Sequence, residues 1–108
     1  MAKALAEAAP VFAALGDETR LRLVSRLSAG EPVSIARLTD GEPVTRQAIS
    51  KHLRVLETAG LVHGERRGRE QLWSLEARRI EDARAWLDEV SASWDRKLDR
   101  LRALVEDA

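Results

Sequence analysis

Five polar side chains, Arg46, Gln47, Ser50, Lys51 and Arg54, follow one another at gaps of one, three, one and three, which on a helix gathers them on one side. Their types suit the edges of nucleic-acid bases. An arginine or lysine can donate to guanine O6 and N7, a glutamine matches adenine N6 and N7, and the hydroxyls of Thr45 and Ser50 can meet a base edge or a phosphate. Farther along, Arg66, Arg67 and Arg69 crowd around Gly68. They could hold phosphates or reach a minor groove, contacts that add affinity with little sequence information. From Val44 to Arg69 six cations stand against two acids, although the whole chain balances 18 against 18. That local excess points to a polyanionic ligand for the middle third, whereas Glu76 to Ala108 carries nine acids and seven cations.

These side chains need a frame, and the punctuation of the sequence supplies one. Thr45 is a good N-cap for a helix whose Ile49, Leu53 and Leu56, at gaps of four and three, face inward, and Gly60 supplies the stop. Ahead of it Ser34 caps a short helix over Ile35–Leu38, which Thr39-Asp40-Gly41-Glu42-Pro43 terminates. An earlier helix starts at Asp17, keeps Leu21, Val24 and Leu27 (with Leu23 beside them) at helical spacing, and ends at Gly30. The first helix covers part of Leu5–Leu15, with Pro10 in its first turn or marking where the regular helix begins, and Gly16 breaks it. After Gly60 the stretch LVHGERRGREQLWSL has two β-prone runs around Arg67-Gly68-Arg69, where glycine permits the positive φ of a hairpin turn. The last segment sets Ile80, Ala83, Leu87, Val90, Trp94, Leu98, Leu101 and Val105 at gaps of three and four, a helical stripe interrupted at most near Ser91–Ser93.

A length of 108 residues predicts one domain over 1–108, with a single modest core. With 44% hydrophobic and 33% charged residues the chain is too apolar for disorder and too interrupted by charge for a membrane span. The N-terminus carries Lys3 and Glu7 and lacks the apolar run of a secretory signal, so a cytoplasmic protein is expected. The absence of cysteine removes disulfides, thiolate metal sites and cysteine nucleophiles. Catalysis is not expected either: there is no tyrosine, no phosphate-binding glycine loop, and the two histidines have no acid and nucleophile beside them in sequence. Glu81-Asp82 and Asp88-Glu89 read as a solvated helix face.

A polar helix face or a basic hairpin alone describes many protein surfaces. In the order short helix, turn, capped helix, basic hairpin they gain a mechanical meaning, because a helix fits the major groove while a hairpin reaches the flanking backbone. The segments ALGDETRLRLVSRLSAG, VSIARLTDGEPVTRQAISKHLRVLETAGLV and GERRGREQLWSL resemble the ArsR-type winged-helix repressors over nearly the whole chain. Asp17-Glu18-Thr19-Arg20 is similar to the family's Asp-x-Thr-Arg helix entry, and Ile49-Ser50-Lys51-His52-Leu53 to the end of its recognition-helix pattern. Leu56 through Gly60-Leu61-Val62 resembles its exit, and Arg69 through Trp73 and Leu75 its wing. The resemblance implies a mainly α winged helix-turn-helix fold with a small β-hairpin, that is, about five or six helices plus a two-stranded wing. It also implies a dimer that blocks promoters. The chain departs from the metal-sensing members: Val33–Leu38 holds no Cys-Val-Cys motif, and no histidine follows Glu76. The metal-independent branch is therefore the expectation, with no metal and no cofactor, no effector implied, and a structural or DNA-proximal role for His52 and His63.

The C-terminal stripe is longer than a domain of this size needs for its own core, and Trp86 and Trp94 add to its bulk. Residues 76–108 are thus expected to form one or more dimerisation helices, with Val11, Phe12, Leu87, Val90, Trp94, Leu98 and Leu101 at the interface. The expected partners are double-stranded DNA and a second copy of the chain, and no membrane. A two-fold dimer would set its reading helices roughly 34 Å apart and require an inverted-repeat site. The competing expectation is a winged-helix adaptor that holds a protein partner and meets DNA weakly or not at all.

Overall fold

Three of the helices begin at a side chain that takes an otherwise unpaired backbone N–H. In the computed structural model, which describes residues 2–106, α1 (Ala2–Leu15) leads to α2 (Glu18–Leu27), opened by Asp17, whose carboxylate accepts from the Arg20 N–H at 3.0 Å. After β1 (Val33–Ser34), the Ser34 hydroxyl caps α3 (Ile35–Thr39) at 3.3 Å from the Arg37 N–H. Thr45 caps α4 (Arg46–Thr58) at 3.1 Å from the Ala48 N–H. The end of α4 is closed by backbone: Leu61 N–H donates to the Leu56 carbonyl and Gly60 N–H to that of Glu57, both at 2.9 Å. This paired closure needs a left-handed residue, and Gly60 supplies φ +77°. Next come β2 (Val62–Arg67), β3 (Glu70–Leu75) and α5 (Ala77–Glu106).

The wing differs from a simple hairpin. β2 and β3 pair antiparallel around a turn that opens on Gly68 at φ +60°, with Arg67 opposite Glu70 and Gly64 opposite Trp73. β1 then adds to the other edge of β3, Val33 opposite Trp73, to give a three-stranded sheet in the order β1-β3-β2. A two-residue strand has no periodicity to read; the open edge of β3 creates it. Its effect is to tie the start of α3 to the wing.

Leu23, Leu27, Leu38, Ile49, Leu53 and Leu56 meet in one core with Leu61, Val62, Trp73 and Ala83. Burying each such leucine stabilises the fold by about 2 kcal/mol. Within α2 the inward face is Thr19, Leu23 and Leu27, one turn apart, so Leu21 is 48% exposed rather than buried. α1 also starts earlier than expected and runs through Pro10, which lies inside the helix. Ala6 and Pro10 are both exposed, so water can serve the carbonyl that loses its N–H partner.

Helix α5 is a single run of 30 residues, continuous through Ser91–Ser93. Its length of about 45 Å draws the molecule out to 68 × 28 × 21 Å, and the radius of gyration is 18.5 Å where a compact domain of this size would have about 13 Å. The first half packs on α1, where the Phe12 and Trp86 rings meet edge to face at 5.4 Å. Leu87 next to Trp86, and Trp94, Leu98 and Leu101 farther along, are exposed on the protomer. Val11, expected at the dimer interface, is 1% exposed and belongs to the protomer's own core, because its side of α1 faces inward with Ala8 and Ala14. Among the described residues no helix is long and apolar enough to cross a membrane.

Candidate nucleic-acid interface

The arginines of α2 hold the helix-turn-helix in place. Arg26 donates to the Leu38 carbonyl at 2.7 Å and to that of Arg37, gathering two carbonyls at the end of α3. Arg22 reaches Glu42 at 3.0 Å in the turn before α4, and the Glu42 side chain is only 5% exposed. Arg20 donates to the Ala14 carbonyl at the end of α1 and meets His52 Nδ1 of α4 at 3.1 Å. A guanidinium can only donate, so Nδ1 accepts and the ring proton sits on Nε2. His52 thus has a structural role. The Arg20 backbone N–H holds the Asp17 carboxyl below its ordinary 3.8; partial burial opposes this, and the positive charge of Arg20 reinforces it.

On the outer side, the face committed by Ile49, Leu53 and Leu56 leaves Arg46, Gln47, Lys51 and Arg54 exposed, with Ser50 half-buried among them. Arg46 does not stand alone. It shares a cleft of about 180 Å³ with Arg66 and Arg69 of the wing, Ser34 at the start of α3, and Glu70 and Gln71. The third wing arginine, Arg67, lines no part of this cleft; strand alternation turns it to the other face, 3.6 Å from Glu65. Arg54 lies two turns along α4, where it borders a groove against α1. The Thr45 hydroxyl oxygen already accepts from Ala48, which leaves its proton to donate.

Charge is distributed in a telling way. Arg20, Arg22 and Arg26 are each tied to carbonyls, a carboxylate or an imidazole, whereas Arg46, Lys51, Arg54, Arg66 and Arg69 have no hydrogen bond or ion pair among the described residues. Cations left in water, with Arg46 at the positive end of a 13-residue helix, are ready for phosphates. The structure also adds residues that pattern reading passed over. A Cβ on Gly64 would come within 2.3 Å of the Gln71 amide and 3.2 Å of the Trp73 ring, so glycine lets the indole lie across the strand and hold the wing against the core. A glycine inside a strand pattern was the available signal. The Arg22–Glu42 pair and the Arg26 contacts to α3 carried none, since the partners are distant in sequence. At the wing base His63 pairs with Glu76. Among the described residues no three His, Asp or Glu side chains converge to hold a metal ion.

A family model described as a helix-turn-helix domain matches residues 15–65, from the end of α1 into the first wing strand. The chain is 36% identical over 93 residues to the HTH-type transcriptional regulator Rv2034 of Mycobacterium tuberculosis, covering 86% of this chain and 83% of that protein. Its fold matches an ArsR-like transcriptional regulator from Rhodococcus sp. RHA1 with a TM-score of 0.80 at 36% identity, over 100% of this chain and 98% of the other. The transcriptional repressor BigR from Xylella fastidiosa gives a TM-score of 0.67 at 28% identity, over 79% and 87% of the two chains.

Proposed function

Because the chain belongs to the ArsR-type winged helix-turn-helix transcriptional regulators, we propose that it represses transcription as a homodimer bound to an inverted-repeat operator. In this reading α4 enters the major groove with Arg46, Gln47, Ser50 and Lys51 toward base edges, while Thr45 and Arg54 meet the backbone at its two ends. Arg66 and Arg69 hold flanking phosphates, and Arg67 lies on the outer side of the wing. The strongest support is the set of unpartnered cations on α4 and the wing, set against the tethered arginines of α2. Repression by occupying a promoter follows the likeness to a transcriptional repressor.

Residues 1–108 act as one domain, and 76–108 pair with a second copy through Leu87, Val90, Trp94, Leu98 and Leu101, with Phe12 beside them. The exposure of Leu87, Trp94, Leu98 and Leu101 on the protomer supports pairing. The regulator belongs to the metal-independent branch and works in the cytoplasm without a cofactor, since a chain with no cysteine and no histidine after His63 lacks the donors of a thiolate or imidazole site.

Selection of random duplexes by the purified protein tests the proposal. A palindromic consensus is expected, with log affinity falling linearly against log salt by about 0.9 per phosphate contacted. Failure to enrich any sequence, with binding insensitive to salt, would replace it with the protein-binding adaptor.

A further inference from the structure

Two strips of small side chains face each other where α1 passes α4. Pro10, Ala13 and Ala14 of α1 lie opposite Val55 and Ala59 of α4, and an apolar groove of about 490 Å³ stays open between them. Its floor is low because alanine carries a single methyl, so neither helix fills the gap. The volume falls among those of small-molecule sites, about 300–1,000 Å³. Val55 is 42% exposed here, an apolar side chain in water on the proposed reading helix.

The polar groups of the groove lie along one side of it. Arg54 and Thr58, one turn apart on α4, both line it, and Arg54 is the only charged residue that does. Neither side chain has a hydrogen bond or ion pair among the described residues. A guanidinium offers paired N–H donors and the hydroxyl adds another, the donor set that a carboxylate accepts from. We propose that this groove binds an apolar monocarboxylate, its hydrocarbon part between the two helices and its carboxylate on Arg54 and Thr58. A phosphate ester fits less well, because its second charge would have no counter-charge in an apolar groove with one arginine.

The site lies on α4 itself, so its occupation and DNA binding are linked. This consequence rests on the function proposed above, in which Arg54 meets the DNA backbone. A carboxylate on Arg54 neutralises the charge that a phosphate would use and sets a second anion beside the duplex. The ligand therefore releases the operator, and the operator weakens the ligand by the same factor.

Calorimetry of the purified protein with cinnamate, and with cinnamyl alcohol as nearly the same molecule without the charge, tests the site. Cinnamate should bind with a dissociation constant of about 1 mM or tighter, and about tenfold more tightly than the alcohol. Arg54→Gln should abolish that preference. Ala13→Leu, which fills the groove from an exposed position on α1, should abolish both affinities, with circular dichroism showing that each variant is folded. On operator DNA, saturating cinnamate should lower the affinity about tenfold and the salt slope by about one, and Ala13→Leu should remove this response. Binding of neither compound, or binding that both variants leave unchanged, would overturn the site. So would a Val55→Glu variant that weakens dimerisation in sedimentation while the wild type takes up no cinnamate, a result that gives the groove to a second copy. Cinnamate held by Arg54 with operator affinity unchanged would overturn the release of DNA. If no duplex is selected at all, the DNA-binding reading fails, and the calorimetric preference for the carboxylate still decides the site.

Discussion

Arg66 and Arg67 are neighbours in the chain and face opposite ways. Arg66 lies on the face of the wing shared with Trp73 and opens on the cleft beside Arg46; Arg67 lies on the other face with Glu65 as its neighbour. The consequence is measurable in the salt dependence of binding. Arg66→Ala should weaken binding to every duplex alike and lower the salt slope by about one, as for a lost phosphate contact, while Arg67→Ala should change the slope by less than half as much. Equal slopes for the two variants would show that the wing does not approach DNA by the face described. Composition located this cluster of arginines, but which of them points toward α4 depends on the strand register, and that register is anchored by Gly64 yielding space to Trp73.

At the scale of elements, α2 is the frame of the recognition apparatus. Its N-cap, Asp17, starts the helix that carries Arg20, Arg22 and Arg26 to α1, the turn and α3. The Asp17 carboxyl is held below its ordinary 3.8, chiefly by the Arg20 N–H. A depressed folded value means that the ionised group contributes stability in full above the unfolded value, and that this contribution is lost as pH falls through the folded one. Asp17→Asn keeps an acceptor at the cap and removes only the charge. Its denaturant midpoint should therefore lie below that of the wild type at about pH 6, and the two should converge as pH falls through the lowered Asp17 value. A gap that persists in acid would mean the charge is not what Asp17 contributes. The caps, stops and inward face of α4 were all legible beforehand, because they depend on neighbours within four residues. β1 was not, nor was the outward turn of Leu21, because each is decided by what packs against it.

For the whole molecule, the long α5 is the feature on which the proposed assembly rests. Its distal half carries an apolar stripe into water, and Trp94, 60% exposed with the Lys97 ammonium 5.4 Å from its ring centre, is the largest side chain on it. Burying such a side chain against a partner is worth about 2 kcal/mol, or roughly thirtyfold in affinity. Trp94→Ala should raise the dimer dissociation constant by at least about tenfold, and operator affinity should fall with it at protomer concentrations near that constant. A demonstrably monomeric variant that still binds the operator as tightly as the wild type would contradict the two-fold scheme.

From residue types and spacing alone come the caps at Asp17, Ser34 and Thr45, the buried triplet of α4, the basic hairpin and the apolar stripe of α5, since each is set by contacts along the chain or by helical period. Tertiary structure alone decides which arginines are tethered and which stay free, that β3 gains a second neighbour in β1, that Val11 turns into the core, and that α5 continues unbroken past the body. The reason is physical: a guanidinium finds its partner, and a side chain its cover, across distances in sequence that no local pattern encodes.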